Sequence, residues 1–149
     1  LTIRSALPSE FETITNLWED SVRATHDFLP EAELLALRPQ LLNDWLPAVN
    51  LRVLTDPHNA IIAFSGVVDG KLEMLFVAPH AFGQGAGKAL LQDAIDHAGV
   101  EQVDVNEANP KALGFYLHQG FEVVGRSALD GQGKPYPLLH LRLRGTSRA

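Results

Sequence analysis

The spacing of apolar positions changes several times along this chain, and each change predicts an element. Leu1 to Ala6 reads as a short strand. Ser9-Glu10-Phe11-Glu12 has the form of a capping box, and Phe11, Ile14, Trp18 and Val22 then recur on one helical face. A leucine-rich stretch over 31–46 opens after Pro30. Its interior Pro39 lacks an amide N–H and crowds the preceding turn, which predicts a break or kink into two short helices. Strands are expected at 49–55, 60–68 and 71–78, the last two joined by a tight hairpin turn at Asp69-Gly70. A helix over 85–98 would bury Leu90, Leu91, Ala94, Ile95 and Ala98. A strand over 100–106, a helix over 110–119, and strands near 121–128 and 136–144 complete an alternating α/β chain. No repeat or linker interrupts it, so one domain over 1–149 is expected.

Composition narrows the classes. The chain has 149 residues, is 46% hydrophobic, and holds no run long enough to span a membrane as a helix. The N-terminal residues lack the basic-then-apolar layout of a secretion signal, so the cytoplasm is the expected location. With no cysteine, disulfides and thiolate chemistry are excluded. The net charge of −6 argues against nucleic acid and favours cationic partners such as amines. Arg142, Arg144 and Arg148 read as part of a solvated strand and tail. The histidines show no ligand spacing, so no metal site is expected.

The most specific chemistry lies at Leu75–Leu91, where an apolar run ends at Pro79 and a glycine-rich loop leads directly into a helix. Glycines allow close approach of a ligand, and the unpaired N–H groups of a helix start point at negative charge. A phosphate-bearing ligand follows. The nucleotide P-loop fails, because Phe82 stands at its first glycine and Ala89 replaces its Ser/Thr. The dinucleotide fingerprint fails too, with Lys88 or Leu90 at its third glycine. Downstream, Asn109 suits an N-cap, Pro110 the first helical position and Gly120 the left-handed residue after the helix.

Two segments, Gly83-x-Gly85-x-Gly87 opening a helix after a strand that ends Val77-x-Pro79, and Asn109-x-x-Ala112-x-x-Phe115-Tyr116-x-x-x-Gly120-Phe121, resemble the GCN5-related N-acetyltransferase (GNAT) superfamily in order and spacing. One position departs from it: Phe82 replaces the usual Arg or Gln of the loop, at the expense of a polar contact. The resemblance implies a mixed, mostly antiparallel seven-stranded sheet with about four helices and two splayed central parallel strands. It implies acetyl-CoA as cofactor. Phe76 and Val77 would offer backbone groups to the pantetheine arm, and Gly83, Gln84, Gly85, Ala86, Gly87 and Lys88 would hold the pyrophosphate. Asn109 would both cap its helix and touch the arm.

An attacking amine has a reference pKa near ~10.4, so the site needs a base or desolvation, while the departing thiol, near ~8.5, gains from a proton donor. Tyr116 occupies the family's donor position. Glu73 is the leading base, set by strand alternation on the face opposite Leu72 and Met74, with Glu107 second. The N–H of Val77 is the candidate donor to the reacting carbonyl oxygen. His26, Asp27 and Phe28 fall where the family builds its acceptor site, His26 being able to assist proton removal and Asp27 to bind a cation. Together with Gly133–Leu139 they resemble a bacterial subgroup of the family. The alternative is an acyl-CoA-binding or sensing module without turnover. The amine, whether small molecule or peptide, and the choice between monomer and homodimer stay open at this level.

Overall fold

The computed structural model describes residues 1–145; Arg148 of the expected tail lies outside the described residues. Eleven regular elements alternate as the hydrophobic pattern predicts. They are β1 (Thr2–Ser5), α1 (Phe11–Thr25), α2 (Glu31–Gln40), β2 (Asn50–Thr55), β3 (Ile61–Val68), β4 (Lys71–Val77), α3 (Ala86–Ala98), β5 (Gln102–Asn106), α4 (Pro110–His118), β6 (Phe121–Ser127) and β7 (Leu138–Leu143). The strands form one sheet in the order β1-β2-β3-β4-β5-β7-β6. Asp69 and Gly70 take positive φ values of 48° and 77°, which makes the β3–β4 turn the predicted tight hairpin.

The two faces are packed by different helices. Ile14, Leu17, Trp18 and Val22 of α1 and Leu34 of α2 cluster with Val53 and Phe64 on one face. On the other, Leu91 and Ala94 of α3 and Tyr116 of α4 join Val103, Phe121 and Leu141. Between these clusters β3 is buried along most of its length, whereas the neighbouring β4 is only partly covered.

A gap opens in the sheet. Among the described residues β4 and β5 are the single parallel pair, and their ladder holds only Lys71↔Gln102 and Leu72↔Val103. Beyond it the strands separate, as the resemblance implies. The β3–β4 register slips at this point: Gly66 faces Met74, but the next residue, Val67, faces Leu72. Glu73 is therefore the extra residue of a β-bulge. Simple alternation would put Leu72 and Met74 on one face, as the sequence reading has it. The bulge corrects this: Leu72 packs with the α3–α4 cluster and Met74 with the α1 cluster. Gly66 makes room for it, since a Cβ there would stand 2.8 Å from Met74 Cε and 2.9 Å from Val49 Cγ2.

Two further expectations are corrected. Ser9 and Glu12 do not form the box that starts α1. The chain enters through a 3₁₀ turn at Pro8–Glu10, and the Glu10 carboxylate accepts the Leu7 N–H at 2.9 Å while a two-pronged pair with Arg4 holds it at 2.9 and 2.7 Å. The cap is set by a strand residue that local spacing does not reveal. Pro39 does not split the second helix either. α2 runs through it to Gln40 and continues into a wide π turn at Leu41–Trp45 and a 3₁₀ turn at Leu46–Ala48.

The hydrogen bonds from Arg4 lower the pKa of Glu10 from 4.5 to about 2. A depressed carboxylate adds stability that is fully present above the unfolded value and lost as pH falls through the folded one. The stability difference between the parent and Glu10→Gln is therefore expected at neutral pH and should vanish as pH falls from 4.5 toward 2; chemical denaturation across that range measures it.

Candidate active site

Backbone conformation shapes the phosphate end. Gly83 and Gly85 have φ of 76° and 83°, and Gly85 is the N-cap of α3. Nothing lies within 4 Å of a Cβ built on either, so these glycines are required by conformation and not by crowding. The first intrahelical bond runs from the Ala89 N–H to the Gly85 carbonyl at 3.0 Å, which leaves the N–H groups of Ala86, Gly87 and Lys88 free of helical partners. Gly85, having no side chain, offers them no cap. Gly87 packs beside Val77 and Phe115, with 3.7 Å to each from a built Cβ. Gln84 and Lys88 are exposed, and Phe82 is 41% exposed at the loop's start. A helix N-terminus with three unengaged donors and an adjacent cation suits a pyrophosphate.

The strand gap continues from this loop. The Ala78 N–H donates to the Ile62 carbonyl at 2.8 Å, which fixes the antiparallel alternation. Phe76, two residues earlier and opposite Phe64, turns its backbone groups toward β3. Val77 and Leu75 turn theirs toward the gap. The backbone groups that face the gap are therefore those of Leu75 and Val77 and not those of Phe76, whose ring lies against Phe64 and His26 with centroids 5.6 and 6.3 Å apart.

The gap is a cavity of about 120 Å³ whose walls include Glu73, Asp104, Asn106, Asn109 and Tyr116. Asn109 accepts the Ala112 N–H at 3.1 Å, so it caps α4 and lines the gap at once. Tyr116 is packed edge-on against Phe115 and Phe121, with centroids 5.0 and 5.7 Å apart. Burial pushes its phenol well above the usual tyrosine range, which keeps it protonated as a donor must be. Glu73 projects from the bulge, 41% exposed and 3.9 Å from Lys71 Nζ. Asp104 was not foreseen. Burial opposes its charge, but hydrogen bonds from Lys71 Nζ and His140 Nδ1, both 2.7 Å, outweigh this and hold it below the usual carboxylate range.

A second cavity of about 260 Å³ adjoins the first, and His26, Phe76 and Asn106 border both. Its apolar wall carries Trp18, Val22, Leu29 and Trp45, and Glu33 and Asp130 add carboxylates. Phe28 belongs to it, and its ring lies 6.2 Å from that of Tyr136. The Tyr136 hydroxyl donates to Glu33 Oε2 at 2.6 Å and Gln132 Nε2 to Gln40 Oε1 at 3.1 Å. These bonds tie the β6–β7 connection to α2 across the cavity.

The expected residues therefore divide. Asn109, Tyr116, Glu73, His26 and Phe28 line the two adjoining cavities, whereas Val77 and the loop from Gly83 to Lys88 follow Phe76 along the chain and line neither. Asp27 is exposed and lines neither cavity. Glu107 is also removed from both, holding Arg126 through both oxygens at 2.7 and 3.1 Å. Asn106, Trp45, Glu33 and Asp130 were missed, because only long-range folding brings them to these cavities. Among the described residues no cluster of three metal-ligating side chains occurs, and no helix is long and apolar enough to cross a membrane.

Comparison with known proteins agrees with this architecture. Residues 51–123 match the acetyltransferase (GNAT) domain family. The chain is 40% identical to the peptidyl-lysine N-acetyltransferase YjaB of Salmonella typhimurium, over 95% of this chain and 97% of that protein. The Escherichia coli YjaB is 37% identical over 97% of this chain and 98% of its own length. The solution structure of apo YjaB from Escherichia coli gives a TM-score of 0.87 at 36% identity, covering 97% of this chain and 98% of that one. A Thermoplasma acidophilum PaiA N-acetyltransferase solved with coenzyme A shares the fold at a TM-score of 0.72 and 19% identity, covering 95% and 98%.

The left-handed N-cap yields a direct test. Placing a Cβ at that conformation costs roughly 1–2 kcal/mol, and about 1.4 kcal/mol is tenfold in an equilibrium. Gly85→Ala should weaken acetyl-CoA binding about tenfold by calorimetry without altering the fold seen by circular dichroism.

Proposed function

The chain belongs to the GNAT family and is an acetyl-CoA-dependent N-acetyltransferase; from that premise we propose that its acceptor is a lysine side chain of a protein or peptide, modified in the cytoplasm. The observation that carries this reading is the second cavity. Its apolar and aromatic wall suits the four-carbon arm of a lysine, and Glu33 and Asp130 suit its charge. The space leads past His26 and Phe76 to the gap. The names of the 40% and 37% identical relatives, peptidyl-lysine N-acetyltransferases, support the same acceptor. Catalysis is favoured over mere acyl-CoA sensing by a buried, protonated tyrosine at the gap.

Bound acetyl-CoA supplies the acetyl group as a thioester. The N–H groups of Ala86, Gly87 and Lys88 would hold its pyrophosphate, with Lys88 adding charge. The gap-facing backbone of Leu75 and Val77 would meet the amides of the pantetheine arm as a neighbouring strand does. The Val77 N–H would face the acyl oxygen and support negative charge there. Tyr116 holds the proton that a departing thiolate needs. Glu73, open to solvent at the bulge, would draw the acceptor's ammonium toward the gap by charge.

The test pairs an acceptor panel with one substitution. Lysine-containing peptides should be acetylated, with polyamines and aminoglycosides much poorer by mass spectrometry and thiol release; preferential modification of a polyamine would overturn the acceptor assignment. Tyr116→Phe should lower kcat by roughly 10²–10⁴-fold while leaving acetyl-CoA affinity within about threefold. A kcat near the parent's would remove Tyr116 from the chemistry.

A further inference from the structure

We propose that the imidazole of His26 takes the proton from the acceptor's ammonium, and that Thr25 is the positioning residue that makes its Nε2 available. The proposal rests on the lysine-acetyltransferase reading above and adds to it the identity of the base.

Position comes first. α1 ends at Thr25, and His26 is its C-cap, with its N–H on the Val22 carbonyl at 2.7 Å. This anchors the backbone, while the ring lies between Phe28 and Phe76 with centroids 5.4 and 6.3 Å away. The ring borders both the acceptor cavity and the gap, so an amine passing from one to the other meets it. None of the carboxylates in this region combines that placement with freedom to act. Asp104 is engaged by Lys71 and His140, and Glu33 is engaged by Tyr136. Asp130 borders the second cavity alone and accepts the Gln132 and Lys134 N–H groups, Glu73 borders the gap alone, and Asp27 borders neither space.

The hydrogen bonds then select a tautomer. Thr25 Oγ1 lies 2.8 Å from the Ser21 carbonyl and 2.7 Å from His26 Nδ1. A carbonyl only accepts, so the single hydroxyl proton of Thr25 belongs to Ser21. Both contacts are hydrogen bonds only if Nδ1–H donates to Thr25. The second ring nitrogen, Nε2, then carries the lone pair, which is the state a base requires.

Burial also lowers the pKa of His26 below the ordinary imidazole value, while the neighbouring Asp27 acts in the opposite direction. The charged groups that share the two cavities with it are Glu33 of α2, Glu73 of β4, Asp104 of β5, and Asp130 and Lys134 of the β6–β7 connection. Desolvation prevails over Asp27, so the neutral ring persists below pH 6.5. The step balances simply. Nε2 accepts the ammonium proton, the freed amine bonds to the acetyl carbon as the carbon–sulfur bond breaks, and Tyr116 protonates the thiolate. The second proton of the attacking nitrogen leaves to restore the Tyr116 phenol and the neutral amide, and His26 returns its proton to water.

Two measurements test this, one of them independent of turnover. Long-range proton–nitrogen NMR spectra of the free protein should show His26 protonated at Nδ1 and bare at Nε2, and Thr25→Val should abolish that preference. In kinetics with a lysine peptide, His26→Gln should lower kcat roughly 10²–10⁴-fold, remove the acid limb that the parent shows below pH 6.5, and leave acetyl-CoA binding unchanged. Thr25→Val should lower kcat with KM little changed. An Nε2–H tautomer in the parent, or a His26→Gln enzyme within about threefold of parental kcat and with the same acid limb, would overturn the proposal. Should lysine peptides fail as substrates altogether, the acceptor reading falls, while the tautomer measurement still judges Thr25 and His26.

Discussion

The short ladder between β4 and β5 is the constraint on which the rest depends. Two residue pairs join these strands, and beyond them the backbone of β4 has no partner on that side. Buried backbone groups must be hydrogen-bonded, so a gap in the middle of a sheet is tolerable only beside water or a ligand that carries amides of its own. Both strands run parallel into this gap, and each is followed by a helix that starts at its mouth: α3 after the glycine loop, α4 after Asn109. The open end of parallel strands thus gathers helix N-termini, strand edges and Tyr116 around one space. Pairing the strands fully would close the gap that Asn109 and Tyr116 line.

The bulge at Glu73 is the local device that goes with this opening. One extra residue reverses which face each later side chain of β4 meets. Met74 and Phe76 consequently pack toward α1, where Phe76 helps form the wall shared by the two cavities. Gly66 makes the slip possible, since any side chain there would collide with Met74 and Val49. Glu73 itself is left projecting, a carboxylate at the gap without a packing role. A single glycine on a neighbouring strand thereby shapes both the wall that Phe76 gives the two cavities and the charge at the gap.

Features encoded within a few residues were legible from the sequence. The loop from Gly83 to Lys88 carries its positive φ values in its glycines, and Asn109-Pro110 with Gly120 marks both ends of α4. Tyr116 followed from the motif around it. Features that need distant partners were not legible. Arg4 recruits Glu10 to cap the entry to α1, displacing the box expected of Ser9 and Glu12. The bulge at Glu73 breaks a period of two that the residue types alone do not contradict. The carboxylates that line the second cavity are Glu33 and Asp130 and not Asp27, and Tyr136, 103 residues along the chain from Glu33, bridges to it on α2. Local propensity fixes elements; the cavity arises where loops from opposite ends of the chain meet.

The central claim is that the gap between β4 and β5, with the α3 N-terminus, holds acetyl-CoA. The most direct measurement is a backbone amide NMR titration with coenzyme A, followed residue by residue. The account predicts saturable shifts concentrated at Leu75, Val77, Gly83 to Lys88, and Asn109. Shifts confined to other surfaces, or none at millimolar coenzyme A, would contradict it.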